Sequence, residues 1–124
     1  MAQFGITQVA SAPVRAENSD RAEIVTQLLF GEAVEIIELD SPWLKIRCVH
    51  DNYEGYMDTK QLIQIDQTQY EGWTNQEKTR LLNRSIQISS VDGPEWIYQG
   101  SLLPANYSSG FMLGDKKYNV LATP

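Results

Sequence analysis

The chain is built from short apolar runs that turn residues interrupt every few positions, and almost none of it has the 3.6-residue period of an amphipathic helix. The runs are rich in β-branched and aromatic residues, as in Val34–Ile36 and Leu44–Ile46. The interruptions carry Pro, Gly, Asn and Asp, for example at Asp40–Pro42 and Asp51–Asn52. Several short strands at this spacing predict an all-β protein with a small barrel or sandwich.

The clearest hairpin is EAVEIIELDSPWLKIRCVH, residues 32 to 50. Its first half alternates apolar and acidic residues, and Asp-Ser-Pro supplies the turn. On the returning strand Leu44, Ile46 and Cys48 share one face, because successive side chains of a strand point to opposite sides. A third strand, YEGYMD, returns after Asp51–Asn52, and residues 58 to 62 follow as a single helical turn. We therefore expect a three-stranded meander.

The second half repeats the first half weakly. LLFGEAVEII aligns with IYQGSLLPAN, and WLKIRCVHDNYEGYM aligns with FMLGDKKYNVL, which itself predicts a hairpin around Gly114–Asp115. Between them the polar segment DQTQYEGWTNQ loses the alternation and predicts a linker with a short helix from Thr68, whose Trp73 packs between the halves or against another domain. The expected domains are residues 1–63 and 79–124, joined by a linker over residues 64–78.

Cys48 and His50 are the only cysteine and the only histidine, so they are the first candidates for a catalytic pair. Side chains two apart on a strand lie about 6 to 7 Å apart, whereas a nucleophile and its base need contact at about 3 Å. We expect Cys48 to pack in the core and His50 to be solvated. The sequence also lacks a phosphate loop and a calcium loop, so it predicts no catalytic residue, no metal ligand and no cofactor. By itself the chain is interpreted as a binding module.

Charge and hydropathy exclude two classes of partner. The 124 residues carry a net charge of −6, and the basic residues are scattered, which argues against nucleic acid because phosphate binding needs clustered Lys and Arg. No apolar run approaches the roughly 18 residues that a membrane span needs. The N-terminus lacks the pattern of a signal peptide, so we expect a cytoplasmic protein or one whose leader is absent from this chain.

Several segments together resemble a known family. Residues 9 to 63, through PVRAENS, TQLLFGE, WLKIR and DNYEGYM, resemble the first bacterial SH3-like (SH3b) domain of NlpC-type, papain-like cell-wall cysteine peptidases. Residues 64 to 124, through GSLLP and FMLGDKKYNV, resemble the second SH3b domain of the γ-D-glutamyl-diamino-acid endopeptidase branch. The resemblance implies two small SH3-like barrels in tandem, the second degenerate, joined by a short linker with one helical turn.

In that family the two barrels precede a papain-like catalytic domain, which we expect as a partner in cis or in trans. The resemblance implies binding of peptidoglycan-derived peptides with a free N-terminal L-Ala followed by γ-D-Glu, in a bacterial cytoplasm or cell envelope. The residues that match the family's amine-binding acid and tyrosine are Glu17 and Tyr53. A carboxylate and a phenol suit an ammonium group. The alternative function is a stand-alone SH3-like module that binds a protein or peptide, with the acidic chain favouring basic peptides.

Overall fold

The computed structural model describes residues 3–122, which form thirteen strands, one α-helix and two single 3-10 turns. The strands are β1 (Phe4–Thr7), β2 (Ser11–Arg15), β3 (Ile24–Leu29), β4 (Ala33–Asp40), β5 (Trp43–Cys48), β6 (Glu54–Asp58), β7 (Leu62–Ile65), β8 (Lys78–Arg80), β9 (Ser85–Ser90), β10 (Gly93–Tyr98), β11 (Leu102–Pro104), β12 (Phe111–Leu113) and β13 (Lys116–Ala122). The helix α1 is Gln67–Asn75, and the 3-10 turns are Thr59–Gln61 and Tyr107–Ser109.

The strands pair antiparallel in three sheets, and the predicted all-β fold class is confirmed. The largest sheet has seven strands in the order β3-β2-β6-β5-β4-β1-β7. A four-stranded sheet has the order β10-β9-β13-β12, and β8 pairs with β11. The expected hairpins β4–β5 and β12–β13 are present, with Val34 opposite Cys48 and Phe111 opposite Tyr118.

The linker helix is longer than the single turn that the sequence predicts. Helix α1 runs for nine residues and begins with a reciprocal cap: the Asp66 carboxylate accepts the Gln69 N–H at 2.8 Å, and the Gln69 side chain accepts the Asp66 N–H at 3.1 Å. This reciprocal cap satisfies two backbone donors that a helix start leaves free. None of the helices in residues 3–122 has the length and apolarity to cross a membrane.

The first half contains its own small hydrophobic core. Leu44, Ile46 and Cys48 are all fully buried, which confirms the face predicted for β5. They pack with apolar residues from the neighbouring strands of the same sheet, and the other members of this cluster are Ala12, Val14, Leu28, Val34, Met57 and Leu62. The alternation in the sequence therefore selects the core-facing side of the sheet.

A second, larger core takes residues from both halves of the chain. Ile6, Phe30 and Ile65 come from the first half, and they pack with apolar residues of the second half, Ile86, Ile88, Ile97, Leu103, Phe111, Leu113 and Tyr118. Trp73 of helix α1 belongs to the same cluster and is 4% exposed. The two halves thus share one core. The division into domains 1–63 and 79–124 with a linker 64–78 stays a prediction.

Backbone groups also join the halves directly at Gly31. The Leu102 N–H donates to the Phe30 carbonyl at 2.8 Å. Gly31 has a φ of +88°, and a Cβ at this position would lie 1.8 Å from the Leu102 carbonyl oxygen. Only glycine permits both the conformation and the close approach. The turn before β4 therefore lies directly against the second half.

Candidate functional site

The two sequence-predicted ligand-binding residues, Glu17 and Tyr53, lie next to paired strands. Strand β2 ends at Arg15, whose partner in β6 is Tyr56. Because the pair is antiparallel, the residues after Arg15 and the residues before Tyr56 leave the ladder at the same end. Glu17 follows β2 and Tyr53 precedes β6, so the topology brings the first loop and the β5–β6 hairpin tip to one edge of the sheet.

Gly55, within the segment YEGY, lies where β6 passes very close to β2. A Cβ on Gly55 would lie 2.5 Å from Cγ1 of Val14 and 2.8 Å from the carbonyl oxygen of Arg15. Both distances are shorter than real carbon contacts, so any larger residue would push β6 away from β2. Gly55 is therefore the residue that lets the two segments with Glu17 and Tyr53 come together.

The first loop, residues 16 to 23, holds itself in shape through its own backbone. The Ala16 N–H donates to the Glu23 carbonyl at 2.8 Å, and the Ser19 N–H donates to the Glu17 carbonyl at 2.9 Å. The Arg15 guanidinium donates to the Ala22 carbonyl at 3.0 Å. The backbone of Glu17 is thus fixed, while its side chain is exposed. A solvated carboxylate on a held backbone is suited to bind a cation.

The β5–β6 tip holds Tyr53 in a defined turn. The Tyr53 N–H donates to the Asp51 carboxylate at 3.0 Å, and the Tyr53 carbonyl accepts the Cys48 N–H at 2.8 Å. Asn52 adopts the left-handed conformation with a φ of 61°, which asparagine tolerates better than most residues. The Tyr53 side chain is 47% exposed. Its ring is therefore available to a ligand while its backbone is held on both sides.

Cys48 and His50 do not form a catalytic pair. Cys48 is fully buried, and burial, followed by the nearby Asp51 and Glu32 carboxylates, raises the pKa of its thiol to about 11. A thiol with this pKa is protonated near neutral pH and is a poor nucleophile. The His50 ring instead faces carboxylates, with Nε2 at 3.4 Å from Asp51 and Nδ1 at 4.0 Å from Glu32. Across residues 3–122 no hydrogen bond joins Cys48 to His50.

A small cavity beside Val49 and His50, at the turn after β5, was not predicted from the sequence. It has a volume of about 100 Å³, room for a few water molecules, and is lined by Glu32, Ala33, Val49, His50, Trp73, Thr74, Lys78, Arg80 and Leu102. Glu32 is 7% exposed and pairs with Arg80 at 3.0 Å, while its second carboxylate oxygen accepts the Leu29 N–H at 2.7 Å.

The charged side chains around this cavity are bound to other groups of the protein. Lys78 donates to the Trp73 carbonyl at 2.6 Å at the end of helix α1. Arg80 also donates to the Gly100 carbonyl at 3.0 Å within the second half. Its ion pair with Glu32 connects this half to the first. Glu32, Arg80 and Gly100 are distant from one another in the chain, so no local sequence pattern predicts these contacts. We interpret the cavity as part of the joint between the halves.

Comparison with known proteins gives a family match and a structural match. Residues 14–62 match the family model of the bacterial dipeptidyl-peptidase Sh3 domain, a range that contains both Glu17 and Tyr53. The chain is similar in structure to an NlpC/P60 family protein from Bacillus cereus ATCC 10987, with a TM-score of 0.70 and 14% identity. That match covers 94% of this chain and 54% of the other, so the chain spans about half the length of the relative. No curated protein matches the chain.

Proposed function

We propose that this chain is the non-catalytic substrate-recognition region of a cell-wall peptide hydrolase of the γ-D-glutamyl-diamino-acid endopeptidase type. In this proposal it consists of two SH3-like domains, residues 1–63 and 79–124, and serves a papain-like catalytic domain in cis or in trans. Glu17 and Tyr53 bind the free N-terminal amine of peptides that begin L-Ala-γ-D-Glu. The observation that carries the proposal is the Sh3-domain match over residues 14–62.

The local geometry supports this role for Glu17 and Tyr53. Both segments leave the β2–β6 ladder at the same edge, and both side chains are exposed on a backbone held by hydrogen bonds. An ammonium group gains a charge-assisted hydrogen bond from a carboxylate and a contact with the face of a phenol ring. Recognition of a free amine restricts a hydrolase to the ends of peptides, because an internal peptide nitrogen carries no charge.

The first test is an NMR titration of the chain with a muropeptide that begins L-Ala-γ-D-Glu. We expect chemical shift changes centred on Glu17 and Tyr53 and none with the N-acetylated peptide, which lacks the ammonium group. Glu17→Gln should weaken binding by about tenfold or more, since a hydrogen bond to a charged group contributes about 1.5–3 kcal/mol. Tyr53→Ala, which removes the ring face, should weaken it by roughly twofold to thirtyfold, since a cation–ring contact contributes about 0.5–2 kcal/mol. Glu38→Gln, which removes an exposed charge from β4, is the matched control and should bind normally.

The outcome against the proposal is equally defined. Shifts that are the same for the free and the acetylated peptide would remove the amine-binding role of Glu17 and Tyr53. The C-terminal peptide of the natural gene product then separates the two functions. A chain that continues into a Cys- and His-bearing domain supports the hydrolase, and one that ends at Pro124 supports the stand-alone SH3-like binding module.

A further inference from the structure

Strand β10 lies at the edge of the four-stranded sheet. In the described part of the chain it pairs with β9 alone, through a hairpin whose turn is residues 91–92. In an antiparallel pair, hydrogen-bonded residues alternate with residues whose backbone groups point away from the partner strand. Pro94 has no N–H, so it takes a position of the second kind. Trp96 and Tyr98 follow at the same alternation, and their N–H groups therefore point to the free edge of β10.

This free edge offers backbone groups to a further strand. Within residues 3–122, no hydrogen bond outside the ladders uses the N–H groups of Trp96 and Tyr98 or the Trp96 carbonyl. The Tyr98 carbonyl already accepts the Ser101 N–H at 3.0 Å and the Ser101 hydroxyl at 2.8 Å. A row of unpaired backbone donors and acceptors selects a polypeptide as the ligand, because only another strand repeats such groups at this spacing.

A polar cavity lies beside the start of β10. It has a volume of about 160 Å³ and is lined by Gln8, Val9, Ser90, Asp92, Gly93, Pro94, Glu95 and Lys116. Pro94 and Glu95 are neighbours on the strand and point to opposite faces, so a cavity that both residues line reaches the edge of the strand. A side chain of a strand added to β10 is therefore within reach of this cavity.

Glu95 is a charged group of this cavity without a partner. The Lys116 ammonium pairs with Asp92 and also donates to Oε1 of Gln8 at 3.1 Å. Glu95 is half-buried, and its carboxylate forms no hydrogen bond or ion pair with any residue from 3 to 122. Burial raises the pKa of Glu95, although nearby Lys116 lowers it in part. A half-buried carboxylate without a donor is costly, and an incoming cation reduces that cost.

Glu95 also limits which strand is able to add to this edge. A charge that points inward is one of the ways in which edge strands resist uncontrolled pairing. An apolar strand would cover the Glu95 carboxylate and supply no donor to it. The β10 strand of a second copy, GPEWIY, contains no basic residue and would bring a further carboxylate. A strand with Lys or Arg supplies the missing donor, and the net charge of −6 attracts it to the chain.

We propose that the free edge of β10 binds an extended peptide that carries a basic residue. The peptide adds as a strand, its backbone pairs with Trp96 and Tyr98, and its basic side chain enters the cavity and binds Glu95. Peptide side chains on the other face contact the two aromatic rings, which are 44% and 53% exposed. This site goes beyond the proposed function, because it shares no residue with the muropeptide site and recognises internal peptide sequence instead of a free amine.

The test is amide hydrogen exchange, measured by NMR on the full chain with a blocked Thr-Val-Lys-Val-Thr peptide. We expect exchange to slow at the N–H groups of Trp96 and Tyr98, which the added strand covers. Exchange at Glu95 and Ile97 should change little, because the register already places their N–H groups in the ladder with β9. The blocked Thr-Val-Gln-Val-Thr peptide, which lacks the cation, should bind about tenfold more weakly.

Variants of the chain separate the charge from the strand pairing. Glu95→Gln should bind the lysine peptide about tenfold more weakly and should no longer distinguish it from the glutamine peptide. Glu77→Gln removes an exposed charge elsewhere in the second half, so it is the matched control and should bind as the wild type does. Glu17→Gln should also bind normally, which keeps this test independent of the muropeptide site. Circular dichroism of each variant establishes that it is folded.

Three results would overturn the proposal. The first is unchanged exchange at Trp96 and Tyr98 with the lysine peptide at millimolar concentration. The second is equal binding of the lysine and glutamine peptides to the wild type, which would remove the role of Glu95 without any variant of the chain. The third is a dimer in sedimentation equilibrium whose formation protects the same two N–H groups without peptide, which would assign the edge to a second copy.

Discussion

Replacing Gly31 with alanine tests the close packing of the two halves. The new Cβ would lie 1.8 Å from the Leu102 carbonyl oxygen and 2.8 Å from its carbonyl carbon, so the backbone of Leu102 must move. That movement breaks the 2.8 Å hydrogen bond from the Leu102 N–H to the Phe30 carbonyl. The alanine must also adopt a φ of +88°. A single methyl group therefore disturbs the joint in three ways.

The size of the effect follows from these three contributions. The left-handed conformation costs a non-glycine residue about 1–2 kcal/mol. The lost hydrogen bond costs about 1 kcal/mol. Forcing a methyl group into a packed contact costs about 1–3 kcal/mol. Gly31→Ala should thus lower the free energy of unfolding by about 3–6 kcal/mol, a large part of the roughly 5–15 kcal/mol that stabilises an ordinary domain.

Two other glycines provide matched controls. Gly93 has a φ of +102°, and a Cβ added there would have no atom within 4 Å, so Gly93→Ala measures the conformational cost alone. Gly72 lies in helix α1 with the same open space around an added Cβ, so Gly72→Ala should stabilise the protein by about 0.5–1 kcal/mol. Urea unfolding followed by circular dichroism gives all three values, and a shared core predicts a single transition. If Gly31→Ala costs no more than Gly93→Ala, the halves do not pack as described.

Three further predictions concern single side chains. Because burial raises the pKa of Cys48 to about 11, the wild type should lose stability as pH rises from about 9 towards 11. Cys48→Val should lose less over this range in urea unfolding at a series of pH values, and the remaining loss comes in part from the buried Tyr118, whose pKa burial also raises. Glu32→Ala should destabilise the protein more than Glu32→Gln, by roughly 1–3 kcal/mol. Both variants lose the ion pair with Arg80, but only alanine also leaves the Leu29 N–H without its acceptor. Equal melting temperatures of the two variants would contradict this. Asp66→Ala removes the cap of helix α1 and should lower the free energy of unfolding by about 0.5–2 kcal/mol, and Asp66→Asn should lower it less. Loss of the helical circular dichroism signal without a change in stability would contradict the shared core.

The all-β fold and the local hairpins could be predicted from the sequence, because alternation and turn chemistry act over a few residues. The β4–β5 hairpin and the buried face of Leu44, Ile46 and Cys48 are confirmed. The 3-10 turn Thr59–Gln61 was also expected, and it follows the Asp58 carboxylate that accepts the Lys60 N–H at 2.9 Å. The sequence predicts too short a helix α1, because the segment buries only Trp73 and so has weak apolar periodicity.

The functional assignments made from the sequence differ in how far the structure bears on them. Cys48 could be excluded as a nucleophile from its place on an alternating strand, and its burial agrees. Glu17 and Tyr53 were selected by resemblance to a family, and their role stays a prediction. The exposed Trp96 and Tyr98 pair was not recognised from the sequence, since a Trp-x-Tyr spacing does not indicate which side of a strand is covered.

What the sequence by itself determined is local: where strands begin and end, which side of each strand is apolar, and where glycine or proline turns the chain. What only the tertiary structure decided is which distant segments meet. The pairing of Arg15 with Tyr56, the Glu32–Arg80 ion pair and the contact of Gly31 with Leu102 join residues far apart in the chain. Such contacts depend on how whole sheets pack around a common core, and a local sequence pattern does not determine that packing.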